Sequence, residues 1–378
     1  MRSPPRYIFI ETNRRCNLKC EHCNYWHDKD TDAANYLPLP RKLEVLGEFH
    51  ELNPQGAMVT CGGESMLDLD TYFGLMRECR RLGLTALSVV NGTRIQTAEM
   101  ADRMIAEGPH EISISLNSPR REVHDRTRGV RGAFDKAVKA LRLLLEARAR
   151  VPGSTSRIYV MGLVFDESYR DLEHFYDFVL NDIGADRLKL NSLQPSFAQH
   201  DPTDAFFRDH SKVDPDELCD IIQRCNERFN LGLNPVWIEQ VRMYWQSLAR
   251  ARDLELGWAS KVETSEHICN TYDRNIMVDS YGKARLCFSD AFGGLKLKQK
   301  GDLKRFWENA GAIRREMASC NRPCGISHSV RRVSARLDPA RQPPQRSFAA
   351  RRADFFADLW PLRPVVDPRA SESAACQE

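Results

Sequence analysis

The chain has 378 residues, of which 42% are hydrophobic and 28% are charged, and its formal net charge is only +3. A charge this small gives no reason to expect nucleic acid or an anionic membrane as a partner. No apolar run approaches the roughly 20 residues of a membrane span, and the N-terminus lacks the apolar core of a secretory signal. We therefore expect a cytoplasmic protein with one large domain and a smaller one.

Short β-rich runs alternate with longer helical patterns from Tyr7 to about Pro195, which indicates βα units and a parallel sheet. The predicted strands are Tyr7–Glu11, Ala57–Thr60, Ala86–Val90, Glu111–Leu116, Arg157–Val164 and Arg187–Asn191. The predicted helices between them are Leu39–Leu52, Asp68–Leu82, Gln96–Glu107, Ala133–Arg148 and Tyr169–Ile183. The fold class predicted from this alternation is α/β.

The remainder of the chain divides into a helical bridge (196–268), a cysteine-bearing module (269–330) and a tail (331–378) rich in Arg and Pro. In the tail one helix is predicted, at Phe348–Trp360. The elements predicted in the bridge are the helices Asp214–Phe229 and Ile238–Asp253 and a short strand at Leu231–Val236.

Three of the twelve cysteines follow the first predicted strand with the spacing C-x3-C-x2-C, at Cys16, Cys20 and Cys23. Structural zinc takes four ligands, so three thiolates do not complete a zinc site. Three thiolates can hold three irons of a four-iron cluster and leave the fourth iron open to a small molecule. The spacing therefore favours an iron–sulfur site, and the alternative is a set of buried core cysteines.

This cysteine spacing after a short apolar strand resembles the radical S-adenosylmethionine (SAM) enzymes. The resemblance implies that a [4Fe-4S] cluster on Cys16, Cys20 and Cys23 binds the amino and carboxylate groups of SAM. One electron then cleaves SAM to a 5'-deoxyadenosyl radical, which removes a hydrogen atom from the substrate. The resemblance also implies a partial (β/α)6 TIM-like barrel over residues 1–195 and an electron donor such as flavodoxin or ferredoxin.

A second motif, Gly62-Gly63-Glu64-Ser65, follows the second predicted strand. Two glycines let the backbone approach a ligand closely, and the run resembles the GGE motif that binds the amino group of SAM, with Ser65 where Pro is frequent. An ordinary βα turn with a capping side chain is the alternative. His22 stands where the family has an aromatic side chain beside the adenine, and the alternative is a loop histidine without such a contact.

The fourth predicted strand places Ser113, Ser115 and Asn117 on one face, because side chains alternate along a strand. In related enzymes a serine of this strand and a downstream arginine hold the SAM carboxylate. Arg128 fits that role, since a guanidinium matches a carboxylate in shape. Its rivals are Arg126 and Arg131.

Further candidates line the expected pocket. Asn117 stands where many relatives have Asp, so a charge that contacts substrate there is lost, and Asn191 ends the sixth strand. A thiol near the substrate can return a hydrogen atom. The candidates for such a hydrogen donor are Cys61, which follows the second strand, and Cys219 and Cys225 of the bridge; packing is the alternative for the last two.

Four later cysteines form a second set, namely Cys269, Cys287, Cys320 and Cys324. Four thiolates can ligate a four-iron cluster, a two-iron cluster or a zinc ion. The run C-x12-G-x4-C through Gly282, around a predicted hairpin of strands Arg274–Val278 and Ala284–Phe288, resembles the SPASM/twitch module. Since a full SPASM module has seven cysteines, the resemblance implies a twitch-type module with one auxiliary [4Fe-4S] cluster.

The leading hypothesis is a radical SAM enzyme that oxidises or epimerises a small polar substrate, such as a sugar, an aminocyclitol or another natural product. Oxidation requires an electron acceptor, for which the auxiliary cluster is suited, whereas epimerisation requires a hydrogen donor. The second hypothesis is a maturase that introduces a thioether or C–C crosslink, or epimerises a residue, in a ribosomally made peptide. In a third hypothesis all seven cysteines serve structural metal sites in a binding protein.

Overall fold

The structure is a computed structural model that describes residues 3–27, 32–194, 204–253, 271–288 and 292–318. Within these residues nine strands are present: β1 (Tyr7–Asn13), β2 (Ala57–Gly62), β3 (Thr85–Val90), β4 (Glu111–Ser115), β5 (Arg157–Val164), β6 (Arg187–Ser192), β7 (Asn275–Val278), β8 (Lys283–Arg285) and β9 (Leu295–Lys296). They form one sheet in the order β6-β5-β4-β3-β2-β1-β7-β8-β9. Strands β1 to β6 are all parallel, each paired with the next in the chain.

Helices occupy the connections between these strands. The α-helices of the described residues are α1 (Leu39–Leu52), α2 (Leu69–Leu82), α3 (Ala98–Glu107), α4 (Arg121–Arg128), α5 (Ala133–Ala149), α6 (Leu172–Asp177), α7 (Ala205–His210), α8 (Pro215–Arg228), α9 (Pro235–Asp253), α10 (Asp302–Asn309) and α11 (Gly311–Ala318). The predicted α/β fold is confirmed, and the predicted strand ends differ from the observed ones by two residues at most in β1 to β6.

The sheet has two chemically different sides because strand residues alternate. On one side Ile8, Ile10, Ile112 and Ile114 are fully buried against apolar residues of α1, α2, α3 and α5. Burial of each such side chain contributes about 1.5–3 kcal/mol, so this layer supplies much of the stability. We call the opposite side the inner face; it carries Phe9 and the side chains considered below as site residues.

Two helical predictions needed revision. The predicted helix Tyr169–Ile183 is a 3-10 turn at Tyr169–Asp171, followed by α6 and a π-helical segment at Phe178–Ile183. Helix α4 was not predicted, because its eight residues are mostly charged and polar and show little apolar periodicity.

The predicted hairpin is present and joins the main sheet. Strand β7 lies parallel to β1, with Tyr7 opposite Asn275, and β8 returns antiparallel to β7. The turn is attached to β1 by the buried carboxylate of Glu11, which accepts hydrogen bonds from the Ser280 amide (3.0 Å) and hydroxyl (3.2 Å) and from the Tyr25 hydroxyl (2.5 Å). The described strands of the predicted module, β7 to β9, therefore share a sheet with the βα units.

The strand predicted at Leu231–Val236 is wrong. Leu231 and Leu233 are both buried, and this alternation imitates a strand. The Asn226 side chain instead accepts a hydrogen bond from the Leu233 amide (2.8 Å), and the Asn234 side chain accepts one from the Val236 amide (2.9 Å). Helix α9 accordingly begins at Pro235, since proline suits the first turn of a helix.

Several predictions fall on residues outside the described ranges. These are the domain boundaries near 195, 268 and 330 and the helix at Phe348–Trp360. Among the described helices, none has the length and the apolar character that crossing a membrane requires.

Candidate cofactor and active site

The segment that carries the three cysteines, Arg14–Cys23, is fixed at its start by the GGE turn. The amide of Gly63 donates to the Asn13 carbonyl (2.8 Å), and the amide of Glu64 donates to the Arg15 carbonyl (2.8 Å). A Cβ atom on Gly63 would lie 2.0 Å from the Arg15 carbonyl oxygen, so only glycine permits this approach. The motif therefore shapes the cysteine loop in addition to any contact with a ligand.

The middle of the loop is fixed by the end of α4. The amides of Lys19 and Glu21 donate to the carbonyls of Arg128 and Thr127, each at 3.1 Å. Gly129 ends α4 in the left-handed region (φ +65°), and a Cβ atom there would lie 2.1 Å from the Lys19 carbonyl oxygen. The loop and the helix end thus form one unit.

The three thiols gather in one small cluster. Cys16, Cys20 and Cys23 pack with Leu18 and Ala133, and Cys20 is buried. Burial, together with the nearby Cys20, raises the pKa of Cys16 to about 11 and that of Cys23 to about 12. A thiolate is the form of cysteine that ligates iron. Three buried thiolates this close together need a bound cation to balance their negative charges.

Arg128 lies between the cysteines and the end of β4. Its Nη1 is 3.7 Å from the Cys20 Sγ atom, its Nη2 donates to Asn117 Oδ1 (2.8 Å), and its Nε is buried without a hydrogen-bond partner. The rivals point elsewhere: Arg126 pairs with Glu167 (2.6 Å), and Arg131 is exposed. Of the three arginines, Arg128 is the one beside the thiols.

Asn117 holds Arg128 in this position. The side-chain Nδ2 of Asn117 donates to Thr127 Oγ1 (3.0 Å), and its backbone amide donates to His124 Nδ1 (3.0 Å). Burial keeps the pKa of His124 well below its usual range, so the ring stays neutral and Nδ1 remains an acceptor. The neighbouring Asp125 accepts from the Gly132 (2.7 Å) and Phe134 (2.8 Å) amides at the start of α5.

The Glu64 carboxylate lies under the cysteine loop and is buried. Its two oxygens accept from the amides of Met66 (3.1 Å) and Asn91 (2.8 Å). Burial raises the pKa of Glu64 to about 7, although both amides and Arg128 oppose the shift. The carboxyl group can therefore change its charge near neutral pH.

Asn17 connects the loop to the end of β3, and sequence reasoning missed it. The Asn91 side chain donates to Asn17 Oδ1 (2.9 Å), and Asn17 Nδ2 donates to Thr93 Oγ1 (2.8 Å). The turn Asn91-Gly92-Thr93 after β3 thus contacts the cysteine loop directly. The position of Asn17, next to Cys16, was the signal available in the sequence.

His22 faces the first helix after β6. Its ring centroid is 6.0 Å from that of Phe206 in α7, and its Nδ1 is buried without a partner. Burial and then the charge of Arg128 lower the pKa of His22 to about 3, so the ring is neutral. A neutral ring beside an aromatic one is suited to stack on a flat base. Phe206 was not identified from the sequence, because the segment around it shows no motif.

The inner face is polar on the side of β4 to β6. Ser113 is buried with its hydroxyl unpartnered, whereas Ser115 and Asn191 are partly exposed. Deeper in the sheet, Lys189 forms a buried ion pair with Glu111. The structure thus brings the three predicted polar residues to one face.

Cys61 lies on the apolar side of the same face. Its thiol is 3.8 Å from the Met277 sulfur, and both pack near Phe9 and Phe288, whose rings meet edge to face at 4.7 Å. Burial holds the pKa of Cys61 well above its usual range, so the group is a neutral thiol. A neutral thiol retains the S–H hydrogen that a hydrogen donor needs.

Cys219 and Cys225 lie away from the cysteine loop. Both are buried in α8, and the Cys219 thiol donates to the Ile238 carbonyl of α9 (3.6 Å). Cys225 is close to Tyr176 of α6, whose pKa is raised by burial and, to a smaller extent, by Cys225. A hydrogen donor must touch the substrate, and these packed positions do not support that role for either residue.

Of the second cysteine set, only Cys287 falls within the described residues. It follows β8, is partly buried and packs against the main core. Cys269, Cys320 and Cys324 lie outside the described residues, so the predicted ligand set of the auxiliary cluster stays a prediction.

A further group of metal-ligand types follows β5. Ligand atoms of Asp166, Glu167 and His210 lie within 4.8 Å of one another. His210 Nδ1 is 2.9 Å from Asp166, and Glu167 pairs with Arg126. These groups already compensate one another, and we assign no metal to them.

The cysteine loop fits a [4Fe-4S] cluster that binds SAM. Three thiols converge and no fourth cysteine joins their cluster among the described residues, which leaves one iron open. Unpartnered polar atoms of His22, Ser113 and Arg128 supply groups for an adenine and a carboxylate.

Comparison with known proteins agrees with this geometry. The profile of the Radical SAM superfamily matches residues 10–179. The AdoMet-dependent heme synthase of Oleidesulfovibrio alaskensis is 34% identical over 149 residues, which cover 38% of this chain and 36% of that protein. The chain spans 36% to 41% of the length of the first three curated relatives that it matches.

Two further likenesses extend over most of the chain. A tungsten-containing aldehyde ferredoxin oxidoreductase cofactor-modifying protein of Pyrococcus furiosus is 24% identical over 307 residues, covering 79% of this chain and 80% of that protein. The fold is similar to that of Streptococcus suis SuiB bound to S-adenosylmethionine (TM-score 0.57, 16% identity, 82% of this chain and 68% of that one). Since the profile match runs from β1 into the π-helical segment after α6 and thus contains the whole cysteine loop, residues 10–179 of the chain are a Radical SAM domain, and such domains use SAM and a [4Fe-4S] cluster.

Proposed function

We propose that this radical SAM enzyme removes a hydrogen atom from a small polar substrate on the inner face, as the first step of an oxidation or an epimerisation. When bound, the cluster supplies one electron that cleaves SAM to methionine and a 5'-deoxyadenosyl radical. The observation that carries the substrate class is the polar side of the inner face at β6, where the partly exposed Asn191 lies on the same face as the buried ion pair of Lys189 and Glu111. An amide side chain both donates and accepts hydrogen bonds and therefore suits the hydroxyl groups of a sugar or an aminocyclitol.

The roles proposed for the cofactor-binding residues follow their positions. Cys16, Cys20 and Cys23 hold the cluster, and Glu64 with Gly62 and Gly63 binds the amino group of SAM. Arg128, with Ser113 and Ser115, holds its carboxylate, because the guanidinium has an unpartnered Nε and no carboxylate ion pair among the described residues. His22 lies against the adenine, which its neutral ring favours.

Oxidation and epimerisation diverge once the hydrogen atom has been removed. In an oxidation the substrate radical loses one further electron and a proton; Cys287 and the three cysteines outside the described residues would hold the auxiliary cluster that would accept this electron. In an epimerisation the Cys61 thiol gives a hydrogen atom to the opposite face of the substrate carbon, and the resulting thiyl radical takes up one electron from the one-electron donor of the enzyme and one proton from solvent. The neutral state of Cys61 supports the second route.

A ribosomally made peptide is the second candidate substrate. The observation in its favour is the apolar side of the inner face, where Phe9, Met277 and Phe288 can receive a hydrophobic side chain. Among the relatives, one is a subtilosin biosynthesis protein of Bacillus subtilis, 27% identical over 143 residues.

The first test counts iron and sulfide after anaerobic reconstitution. We expect about eight irons in the wild type and about four in a Cys16/Cys20/Cys23→Ala variant. Cys79→Ala is the matched control, because Cys79 is buried in α2 away from the loop, and it should keep about eight. A wild type with only about four irons, and a triple variant with none, would contradict the presence of an auxiliary cluster. The proposed oxidation would then have no electron acceptor.

The second test identifies the substrate class. Reduced enzyme is incubated with SAM and carbon-deuterated sugars, aminocyclitols or peptides, and deuterium in 5'-deoxyadenosine is measured. Transfer from a sugar or an aminocyclitol supports the proposal, whereas transfer from peptides alone overturns the substrate class. The same reaction run in D2O distinguishes epimerisation from oxidation. Epimerisation through Cys61 should place solvent deuterium in the product, and the Cys61→Ala variant should no longer do so.

A further inference from the structure

Exposed cations surround the cysteine loop. We call the following five residues the cationic patch: Arg15, Lys19, Arg94, Arg131 and Lys136. The formal net charge of the whole chain is only +3, so a patch of this size is a local concentration of charge. Such a concentration creates a positive potential over the thiols.

Two members of the patch are held directly against the loop. Lys19 lies in the loop between Cys16 and Cys20. Gly129 is in close contact with the Lys19 carbonyl, and this contact places the nearby Arg131 beside the loop. Val130, next to Arg131, packs against the three thiols. These two cations therefore border the cysteine cluster.

The other members approach from three neighbouring segments. Arg15 precedes Cys16, and Arg94 follows Thr93, which bonds to Asn17 of the loop. Lys136 lies next to the segment that follows β3, because its carbonyl accepts a hydrogen bond from Nε2 of Gln96 in that segment (3.0 Å). The cations thus come from the loop, the β3 turn and the start of α5.

The patch has little compensation from acids. Among the described residues, no member of the patch forms an ion pair, and the charge of one member, Arg94, acts on the buried Glu64 carboxylate. Exposed acids of the neighbouring segments are paired with other cations. Glu21 pairs with Arg126 (3.6 Å) and Asp135 pairs with Arg121, both in α4. Five unpaired cations on one exposed surface are costly in self-repulsion, and an acidic partner relieves that cost.

We propose that the cationic patch is the docking surface for an acidic one-electron donor protein. The inference rests on the proposed ligation of the cluster by Cys16, Cys20 and Cys23. Reductive cleavage of SAM consumes one electron per event, and the donor supplies it and is itself oxidised by one electron. A donor with acidic residues around its redox centre would be steered to the exposed side of the loop, where electron transfer is shortest.

The test compares a protein donor with a small chemical one. Wild type and Arg94→Glu/Lys136→Glu are reconstituted, and 5'-deoxyadenosine formation is followed with dithionite and with an acidic flavodoxin reduced by its reductase. We expect the flavodoxin-supported rate of the variant to fall about tenfold or more at low salt, with unchanged iron content and dithionite-supported rate. The difference should shrink as ionic strength rises, because salt screens exposed charges.

Lys304→Glu is the matched control, since Lys304 is exposed on α10, outside the patch; Arg94→Gln with Lys136→Gln provides a milder version of the charge removal. An unchanged flavodoxin-supported rate in both patch variants overturns the proposal. An equal loss with dithionite also overturns it, because the effect would then lie in the cofactor site. Absence of SAM cleavage in the wild type with dithionite contradicts the proposed function instead.

Discussion

Substitution of Gly129 by alanine tests whether the end of α4 shapes the cysteine loop. Gly129 and Gly83 both end a helix in the left-handed region, at φ +65° and +72°. A Cβ atom on Gly83 meets nothing within 4 Å, whereas one on Gly129 lies 2.1 Å from the Lys19 carbonyl oxygen. The two variants therefore share the backbone cost and differ in the collision.

The expected sizes follow from the contacts. The left-handed conformation costs alanine about 1 kcal/mol at either site. Relief of the collision moves the loop away from α4 and weakens the two hydrogen bonds from the Lys19 and Glu21 amides, each contributing about 1 kcal/mol. We expect Gly129→Ala to lose about 3 kcal/mol and Gly83→Ala about 1 kcal/mol, a difference of roughly 4 °C in Tm.

The assay is thermal unfolding of both variants beside iron analysis after reconstitution. Gly83→Ala should bind iron like the wild type, whereas Gly129→Ala should lose a large part of the cluster on Cys16, Cys20 and Cys23. Equal Tm values and equal iron contents in the two variants would refute the reasoning, because the collision would then be harmless.

Three more predictions concern buried carboxylates. Burial raises the folded-state pKa of Glu64 to about 7 from a usual value of 4.5, so the wild type should lose about 3 kcal/mol of stability as pH rises from 4.5 to 7. Glu64→Gln cannot ionise and should therefore show a flatter dependence of Tm on pH. A slope equal to that of the wild type would contradict this prediction. Glu11→Gln should weaken the bond to the Ser280 amide by about 1 kcal/mol, seen as about fivefold faster hydrogen exchange there; unchanged exchange would speak against the attachment. Lys189→Met should lower the free energy of unfolding by about 3 kcal/mol, because it leaves Glu111 buried and unpaired. The double variant with Glu111→Leu should recover most of this stability in thermal unfolding. A double variant no more stable than the single one would argue that the ion pair is unimportant.

The sheet was predictable from the sequence where apolar runs and breaks coincide. Arg157–Val164 was predicted with its observed bounds, because alternation and flanking polar residues agree. The place of β7 beside β1 was not predicted, since pairing of distant strands leaves no local periodicity. The strand expected at Leu231–Val236 failed because two buried leucines, spaced by two, fit a capped helix start as well as a strand.

The candidate site was predictable where a chemical type is rare. Three closely spaced cysteines and a Gly-Gly-Glu run stand out in any sequence, and the radical SAM assignment that they supported is confirmed. The choice of Arg128 over its neighbours needed coordinates, because three arginines lie within six residues and only their side-chain directions separate them. Asn17 and Phe206 were missed because a single asparagine or phenylalanine in a loop carries no pattern.

The pairing of β7 with β1 has a consequence for synthesis of the chain. Glu11 and Ser280, which fasten the two strands together, are 269 residues apart. During translation the apolar run Tyr7-Ile8-Phe9-Ile10 therefore keeps one open edge until nearly three quarters of the chain has left the ribosome, which takes on the order of tens of seconds. An open apolar edge invites pairing with other chains, so the first strand made is also one of the last to be protected.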